Sequence, residues 1–215
     1  MNLKILSDFL FPTQGTILKI LQDPRLGLDV QSTPDVSRIE QYLQLLIKWN
    51  RKINLTAEKG PEDILNRHVF DSLQYCRTIE PGFRVMDIGS GAGFPGIPLK
   101  ILFPQLHLVL VESQRKRCSF LETVVRELGL GQVDVINARA EDVPDVKAGQ
   151  FEAVVFRAVS DSQACLLLGE RFLAPGGTII LKKGPDENLS QLGSNSMFSL
   201  QKEVVISSYH GVVSS

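Results

Sequence analysis

Between residues 87 and 96 the chain reads Asp87-Ile88-Gly89-Ser90-Gly91-Ala92-Gly93-Phe94-Pro95-Gly96, an acid closing an apolar run and then alternate glycines. Glycine at such places removes the side chain that would hold a ligand away from the backbone. Two chemistries fit the spacing. Gly91 to Gly96 satisfies the dinucleotide pattern G-x-G-x-x-G, and Glu112 lies about 20 residues on, as that pattern expects. The same stretch also satisfies an acid followed by G-x-G-x-G, through Asp87, Gly89, Gly91 and Gly93, which is the pattern for S-adenosylmethionine. A bare strand-to-helix turn is the third reading.

Three further features bear on the choice. Asp87 stands directly before the loop, where a carboxylate suits a cationic amino-acid moiety and repels a pyrophosphate. Glu112 ends the next apolar run and is placed to accept from ribose hydroxyls, which either cofactor would use. Leu173-Ala174-Pro175-Gly176-Gly177-Thr178-Ile179-Ile180-Leu181 resembles the helix-turn-strand signature of the S-adenosylmethionine-dependent methyltransferase superfamily. Together these favour S-adenosylmethionine over a nicotinamide cofactor. Ala138-Arg139-Ala140-Glu141-Asp142 follows a later strand and is placed to reach the adenine, through the backbone of Ala140 and a side-chain acceptor on Glu141 or Asp142.

The elements that must position these residues are readable from periodicity. Leu18 and Leu21 mark a short helix, and Ile39, Leu43, Leu46, Ile47 and Trp49 a longer one capped by Asp35 or Ser37. Pro61-Glu62-Asp63 opens a further helix carrying Ile64, Leu65, Val69 and Leu73, with proline in its first turn and acids at its positive end. The first 80 residues are therefore predicted helical. After Pro81-Gly82 the pattern changes to strands at Phe83–Ile88, His107–Val111, Val133–Ile136, Phe151–Phe156 and Thr178–Lys182. Helices alternate with them, near Ile97–Leu102, Lys116–Leu128 and Gln163–Leu173, and Glu203–Ser208 is a further edge strand. Alternation of this kind predicts an α/β, doubly wound, Rossmann-like parallel sheet. The expected form is a seven-stranded (class I) methyltransferase fold, with residues 1–80 a helical segment packed on a unit spanning 81–215.

The chemistry of the acceptor is narrowed by elimination. Methylation of cytosine C5 needs a covalent cysteine, and Cys165 lies within a helix without a proline-cysteine context. Exocyclic amines meet an Asn- or Asp-Pro-Pro-aromatic turn after the fourth strand, where this chain has Phe156-Arg157-Ala158-Val159. A ring nitrogen such as guanine N7 already holds an in-plane lone pair and needs no general base. Arg115, Lys116 and Arg117 open one helix, and Arg139, Arg157, Lys182 and Lys183 fall near carboxyl ends of strands. Such cations suit a polyanion. Arg157, closing a buried apolar strand, is the least expected as plain surface.

With 215 residues, 43% hydrophobic and 22% charged, the chain can bury a full core, and a net charge of −1 leaves nucleic-acid contact to a local patch. No apolar run approaches the roughly 18 residues of a membrane span. Asp8 and Pro12 interrupt the only candidate leader. Cys76, Cys118 and Cys165 have no metal-ligand spacing and read as reduced thiols. The expected protein is cytoplasmic and monomeric, with no membrane partner and no metal.

Several segments resemble the ribosomal RNA small subunit methyltransferase G (glucose-inhibited division protein B) family. They are Leu45-Leu46-Ile47-Lys48-Trp49-Asn50, Ile53-Asn54-Leu55-Thr56-Ala57, Arg67-His68-Val69-Phe70-Asp71-Ser72-Leu73, Asp87 through Pro95, Lys116-Arg117-Cys118-Ser119-Phe120-Leu121, Ala138-Arg139-Ala140-Glu141 and Arg157-Ala158-Val159. The two helical segments around Asn54 and His68 are more specific than the glycine loop, because the wider superfamily lacks them. The resemblance implies methylation at N7 of a guanine, the position-527 equivalent, in 16S rRNA. The substrate form would be the rRNA itself, the small ribosomal subunit or an assembly intermediate. It implies that Gly89, Phe94, Ala140, Glu141 and Arg157 contact S-adenosylmethionine, and that Asn54, Arg67 and His68 border the base and the RNA entrance. Read alone, His68 is more often structural and Trp49 more often core. The ending Tyr209-His210-Gly211-Val212-Val213-Ser214-Ser215 departs from the family's arginine-containing last segment and lysine-ended strand. The alternatives are a methyltransferase for another RNA or a small molecule, a nicotinamide-dependent oxidoreductase, and a non-catalytic RNA-binding module.

Overall fold

A computed structural model describes residues 11–28, 34–157 and 161–182. Helix α1 (Gln14–Leu21) starts at Thr13, whose Oγ1 accepts from Thr16 N at 3.2 Å, and buries Ile17, Ile20 and Leu21. Helix α2 (Pro34–Ile53) buries Ile39, Tyr42, Leu43 and Leu46, one stripe at helical spacing. It begins at Pro34, so Asp35 falls in its first turn and neither Asp35 nor Ser37 is the cap expected from sequence. The stretch from Pro61 is not one uniform helix. It runs as α3 (Pro61–Ile64), a π-helical turn (Leu65–Val69), α4 (Phe70–Leu73) and a 3-10 turn (Gln74–Arg77).

Five parallel strands follow: β1 (Arg84–Ile88), β2 (His107–Glu112), β3 (Val133–Asn137), β4 (Phe151–Phe156) and β5 (Leu173–Leu181), in the order β3-β2-β1-β4-β5. Helices α5 (Gly96–Leu102), α6 (Arg115–Glu127) and α7 (Ser162–Glu170) connect them. Sequence expected the last helix to reach Leu173 and the fifth strand to start at Thr178. Instead α7 stops at Glu170 and β5 begins at Leu173, opposite Phe151, with Thr178 opposite Ala153. The surplus residues bulge at Pro175-Gly176-Gly177, where proline lacks a ladder donor and Gly176 has φ +79°. The edge strand expected at Glu203–Ser208, the altered ending and Lys183 lie outside the described residues. Five strands of the expected seven are therefore seen.

Alternation along each strand divides the core. Val85, Leu108, Leu110, Ala153 and Val155 face one layer, shared with α1, α2, the Pro61–Leu73 stretch and α6 through residues such as Ile20, Leu46, Phe70 and Phe120. Met86, Val109, Val111, Val154 and Phe156 face the other, with Cys165 of α7, Val143 and Phe172. The N-terminal helices thus build one face of the sheet. Chain direction reverses between β1 and β4, and ligands of such sheets sit beyond the strand carboxyl ends at that switch point. The glycine loop leaves β1 there, and Arg157 ends β4. Among the described residues no helix is long and apolar enough to cross a membrane.

Candidate active site

The glycine loop is shaped by backbone demands that differ from glycine to glycine. Gly89, Gly91 and Gly93 all have positive φ, at +75°, +57° and +94°. A Cβ on Gly89 would meet nothing within 4 Å, whereas one on Gly93 would lie 2.6 Å from Ile97 Cγ1. Gly93 therefore packs the loop onto α5 and α6, and Gly89 keeps a space open. Asp87 lies beneath the loop, fully buried. Its Oδ2 accepts from Gly96 N at 2.9 Å and its Oδ1 has no partner. Burial, with the Glu112 charge adding, pushes this carboxyl up to about 7, against the opposing pull of the Gly96 N–H and the Arg157 charge.

Beside the open face of Gly89 is a cleft of about 330 Å³, lined by Ile88, Gly89, Val111, Glu112, Ser113 and residues 138–141. That volume is within the range of small-molecule sites. Glu112 is buried at the end of β2, its Oε2 accepting from Gly91 N at 3.0 Å and its Oε1 from Gln114 N at 2.7 Å. It thus braces the glycine loop while lining the cleft, and each carboxylate oxygen keeps a lone pair for a further donor. Ala140 and Glu141 start a 3-10 turn on the facing wall. The glycine-backed space, the acid on β2, the apolar Ile88 and Val111 and the orphaned Asp87 oxygen fit a nucleoside carrying a cationic amino-acid arm. Gly91, Gly93 and Asp87 are not in the lining; they shape the loop from behind.

Phe94 follows the loop and is held by three groups. Tyr42 of α2 meets it edge-on at 5.5 Å, His68 stacks on it at 5.1 Å, and the Arg157 guanidinium lies 5.1 Å from its ring centre. Tyr42 also donates to Ala92 O at 2.6 Å, tying α2 to the loop. The π turn carries Arg67 and His68; turns of this kind recur at functional sites. His68 Nε2 lies 2.6 Å from Glu58 Oε2 and 2.9 Å from Thr56 Oγ1, while its Nδ1 meets the Arg157 Nη2. Asn50 fixes the loop that delivers these partners. Its Oδ1 accepts from Leu55 N and Thr56 N at 2.7 and 3.0 Å, and its Nδ2 donates to Glu58 O at 2.9 Å.

The electrostatics of this cluster are coupled. Burial raises the Glu58 carboxyl, but hydrogen bonds from Thr56 and His68 outweigh it and bring the group down to about 2. Burial lowers the His68 imidazole below its ordinary value; the Arg157 charge adds to this, and the Glu58 hydrogen bond opposes it.

The other sequence candidates separate into exposed and engaged groups. Arg115, Lys116 and Arg139 are exposed, and Arg139 lines the cleft. Arg117 Nη1 lies 3.8 Å from Glu112 Oε2, and Lys182 is paired with Asp71. Asn54 is exposed with φ +47°, and Arg67 is exposed, its Nη1 3.5 Å from Glu58 Oε1. Trp49 packs against Phe120 at 5.8 Å, as core. Glu58, Tyr42 and Asn50 were not singled out as site residues in the sequence. Nothing local marks Glu58, which meets His68 ten residues on, across a loop and a helical turn.

Comparison with known proteins gives concordant results. Residues 35–212 match the family model described as rRNA small subunit methyltransferase G. The protein of that name from Alkaliphilus oremlandii is 38% identical over 77% of this chain and 72% of its own length. Those from Desulfitobacterium hafniense and Xylella fastidiosa are each 39% identical, over 81% of this chain and 73% and 82% of their own lengths. The structure of coclaurine N-methyltransferase bound to N-methylheliamine and SAH shares the fold, with a TM-score of 0.50 and 13% identity over 79% of this chain and 60% of that one. On the extent of the family match and the identity of these relatives, the chain belongs to the rRNA small subunit methyltransferase G family.

Proposed function

We propose that this chain transfers the methyl group of S-adenosylmethionine to N7 of a guanine, the position-527 equivalent, in 16S rRNA. Family membership and the methyltransferase fold support the cofactor and the rRNA acceptor. One observation carries the choice of ring nitrogen. His68, the histidine of this site, has both ring nitrogens occupied, and the neighbouring Glu58 is held by Thr56, His68 and Arg67. A nucleophile that must first lose a proton would find both groups already engaged. Guanine N7 needs none.

In this reading Gly89, Glu112, Ala140 and Glu141 hold the nucleoside, with Asp87, Gly91 and Gly93 setting the loop. When bound, S-adenosylmethionine supplies a methyl carbon activated by its sulfonium, and the chain's task is alignment. Phe94 and Arg157 form the wall between the cleft and the His68 cluster. Asn54, Arg67 and His68 border the base, and Arg115, Lys116 and Arg139 neutralise phosphates, with Arg117 and Lys182 reaching RNA only on leaving their acids. Residues 1–80 form a helical segment packed on the unit 81–215, and the protein acts as a cytoplasmic monomer on rRNA within the small subunit or its precursor.

The test is transfer of label from S-adenosylmethionine to naked 16S rRNA, to small subunits and to assembly intermediates, all lacking the modification. Label in N7-methylguanosine is expected. Label on an exocyclic amine, or cofactor binding with no labelled RNA, would overturn the assignment of the acceptor.

A further inference from the structure

We propose that Thr56 and Glu58, acting through His68, are positioning residues that hold the Arg157 guanidinium against Phe94 for methyl transfer. This rests on the reading of Arg157 as a residue of the cofactor site.

The direction of the hydrogen bonds follows from what each group can do. A guanidinium only donates, so the His68 Nδ1 facing Arg157 Nη2 must accept and carries no proton. The proton of the neutral ring is then on Nε2, where it is shared by two acceptors, Glu58 Oε2 at 2.6 Å and Thr56 Oγ1 at 2.9 Å. The Thr56 hydroxyl donates in turn to the same carboxylate. A chain of directed bonds thus runs from the loop after α2, through the π turn, to the residue that ends β4. Its two ends are opposite charges, and the bridge between them is a neutral imidazole stacked on Phe94. The Arg157 guanidinium packs over the same ring, so the relay fixes both the angle and the reach of Arg157.

The groups facing His68 are Glu58 and Thr56 from the loop, Arg157 from the β4 end, Phe94 from the glycine loop and Asp71 of α4. Asp71 is itself paired with Lys182. If the ring takes a second proton, Nδ1 becomes a donor aimed at a donor, and a cation faces a cation. Arg157 must then move. Burial holds the imidazole below its ordinary value, so the neutral bridge persists through the neutral range and fails only in acid. Removing the Glu58 carboxylate takes away the hydrogen bond that supports the charged ring, and the acid limb then moves to lower pH.

The experiment combines nitrogen NMR of the imidazole with a double-substitution cycle. In the folded protein His68 should show a protonated Nε2 and an unprotonated Nδ1. In Glu58→Gln it should titrate at lower pH than in the parent, and this readout requires neither cofactor nor RNA. With methyl transfer as the assay, Glu58→Gln should lower turnover roughly tenfold or more, the worth of a charge-assisted hydrogen bond. Thr56→Val, which keeps the carboxylate, should lower it less. In the Arg157→Ala background, Glu58→Gln should have no further effect. An Nδ1-protonated ring, an unmoved titration in Glu58→Gln, or losses that multiply in the double variant would overturn the relay. Absence of transfer by the parent protein on any rRNA, with the ring as described, would instead refute the proposed acceptor and leave the relay standing.

Discussion

Replacing Gly89 and Gly93 in turn by alanine separates what the glycine loop does for the ligand from what it does for the fold. Both residues have positive φ, so either alanine incurs about 1–2 kcal/mol of left-handed strain. At Gly89 that is the main cost, because the new methyl group meets nothing within 4 Å. A fall in Tm of about 2–8 °C follows for a chain of this size. At Gly93 the methyl would lie 2.6 Å from Ile97 Cγ1 and 3.1 Å from Leu121 Cδ2. Overpacking adds about 1–3 kcal/mol to the strain, so the loss is roughly 2–5 kcal/mol and about 4–20 °C. Binding should invert this order relative to folding. The Gly89 methyl fills the space beside the cleft, and S-adenosylmethionine affinity, read by titration calorimetry on the folded variant, should fall tenfold or more, about 1.4 kcal/mol. Unchanged affinity in Gly89→Ala would refute the placement of the ligand against this loop. A Gly89→Ala protein as unstable as Gly93→Ala would refute the claim that the space is open.

Three further outcomes follow from the same geometry. The buried Asp87 carboxyl, pushed up to about 7 from an unfolded value of 3.8, favours folding while protonated, so that contribution is lost as pH rises from about 4 through about 7. The Tm of Asp87→Asn relative to the parent should therefore climb over that window and level off above it, by an amount on the order of a few kcal/mol; a constant difference would show that Asp87 does not titrate there. Tyr42→Phe removes the hydroxyl that meets Ala92 O at 2.6 Å and should cost about 0.5–1.5 kcal/mol in urea unfolding, whereas no change would mean that the α2-to-loop tie contributes nothing. Arg115→Glu together with Lys116→Glu should leave cofactor affinity intact and reduce the salt slope of rRNA binding by about 2. An unchanged slope would move the RNA to another face.

Much of the frame was legible because its signals are local. The strands are runs of buried residues bounded by turns, and β4 lies where periodicity placed it, at Phe151–Phe156. The glycine loop announces itself through spacing, and Glu112 through its distance from the loop. What stayed hidden depends on partners far apart in the chain. A π turn differs from an α turn only in which backbone groups pair, so Leu65–Val69 reads as ordinary helix. The bond between His68 and Arg157 spans 89 residues, and Glu58 reaches His68 only because Asn50 folds the loop between them. The β5 bulge was half visible, since Pro175-Gly176-Gly177 marks a turn, but Leu173 pairing across from Phe151 on its near side had no signature. Asp87 was read as a ligand for the cofactor's cationic arm. The structure places its side chain under the loop, bonded to Gly96, with one oxygen left over.

The central claim is that this chain methylates N7 of one guanine in 16S rRNA. The most direct test expresses it in bacteria lacking their own enzyme for that position and measures the nucleoside by mass spectrometry of the excised rRNA fragment. Near-complete N7-methylguanosine at the position-527 equivalent, abolished by Arg157→Ala, is the predicted result. An unmodified guanine there, in cells where the protein is folded and binds S-adenosylmethionine, would contradict the account.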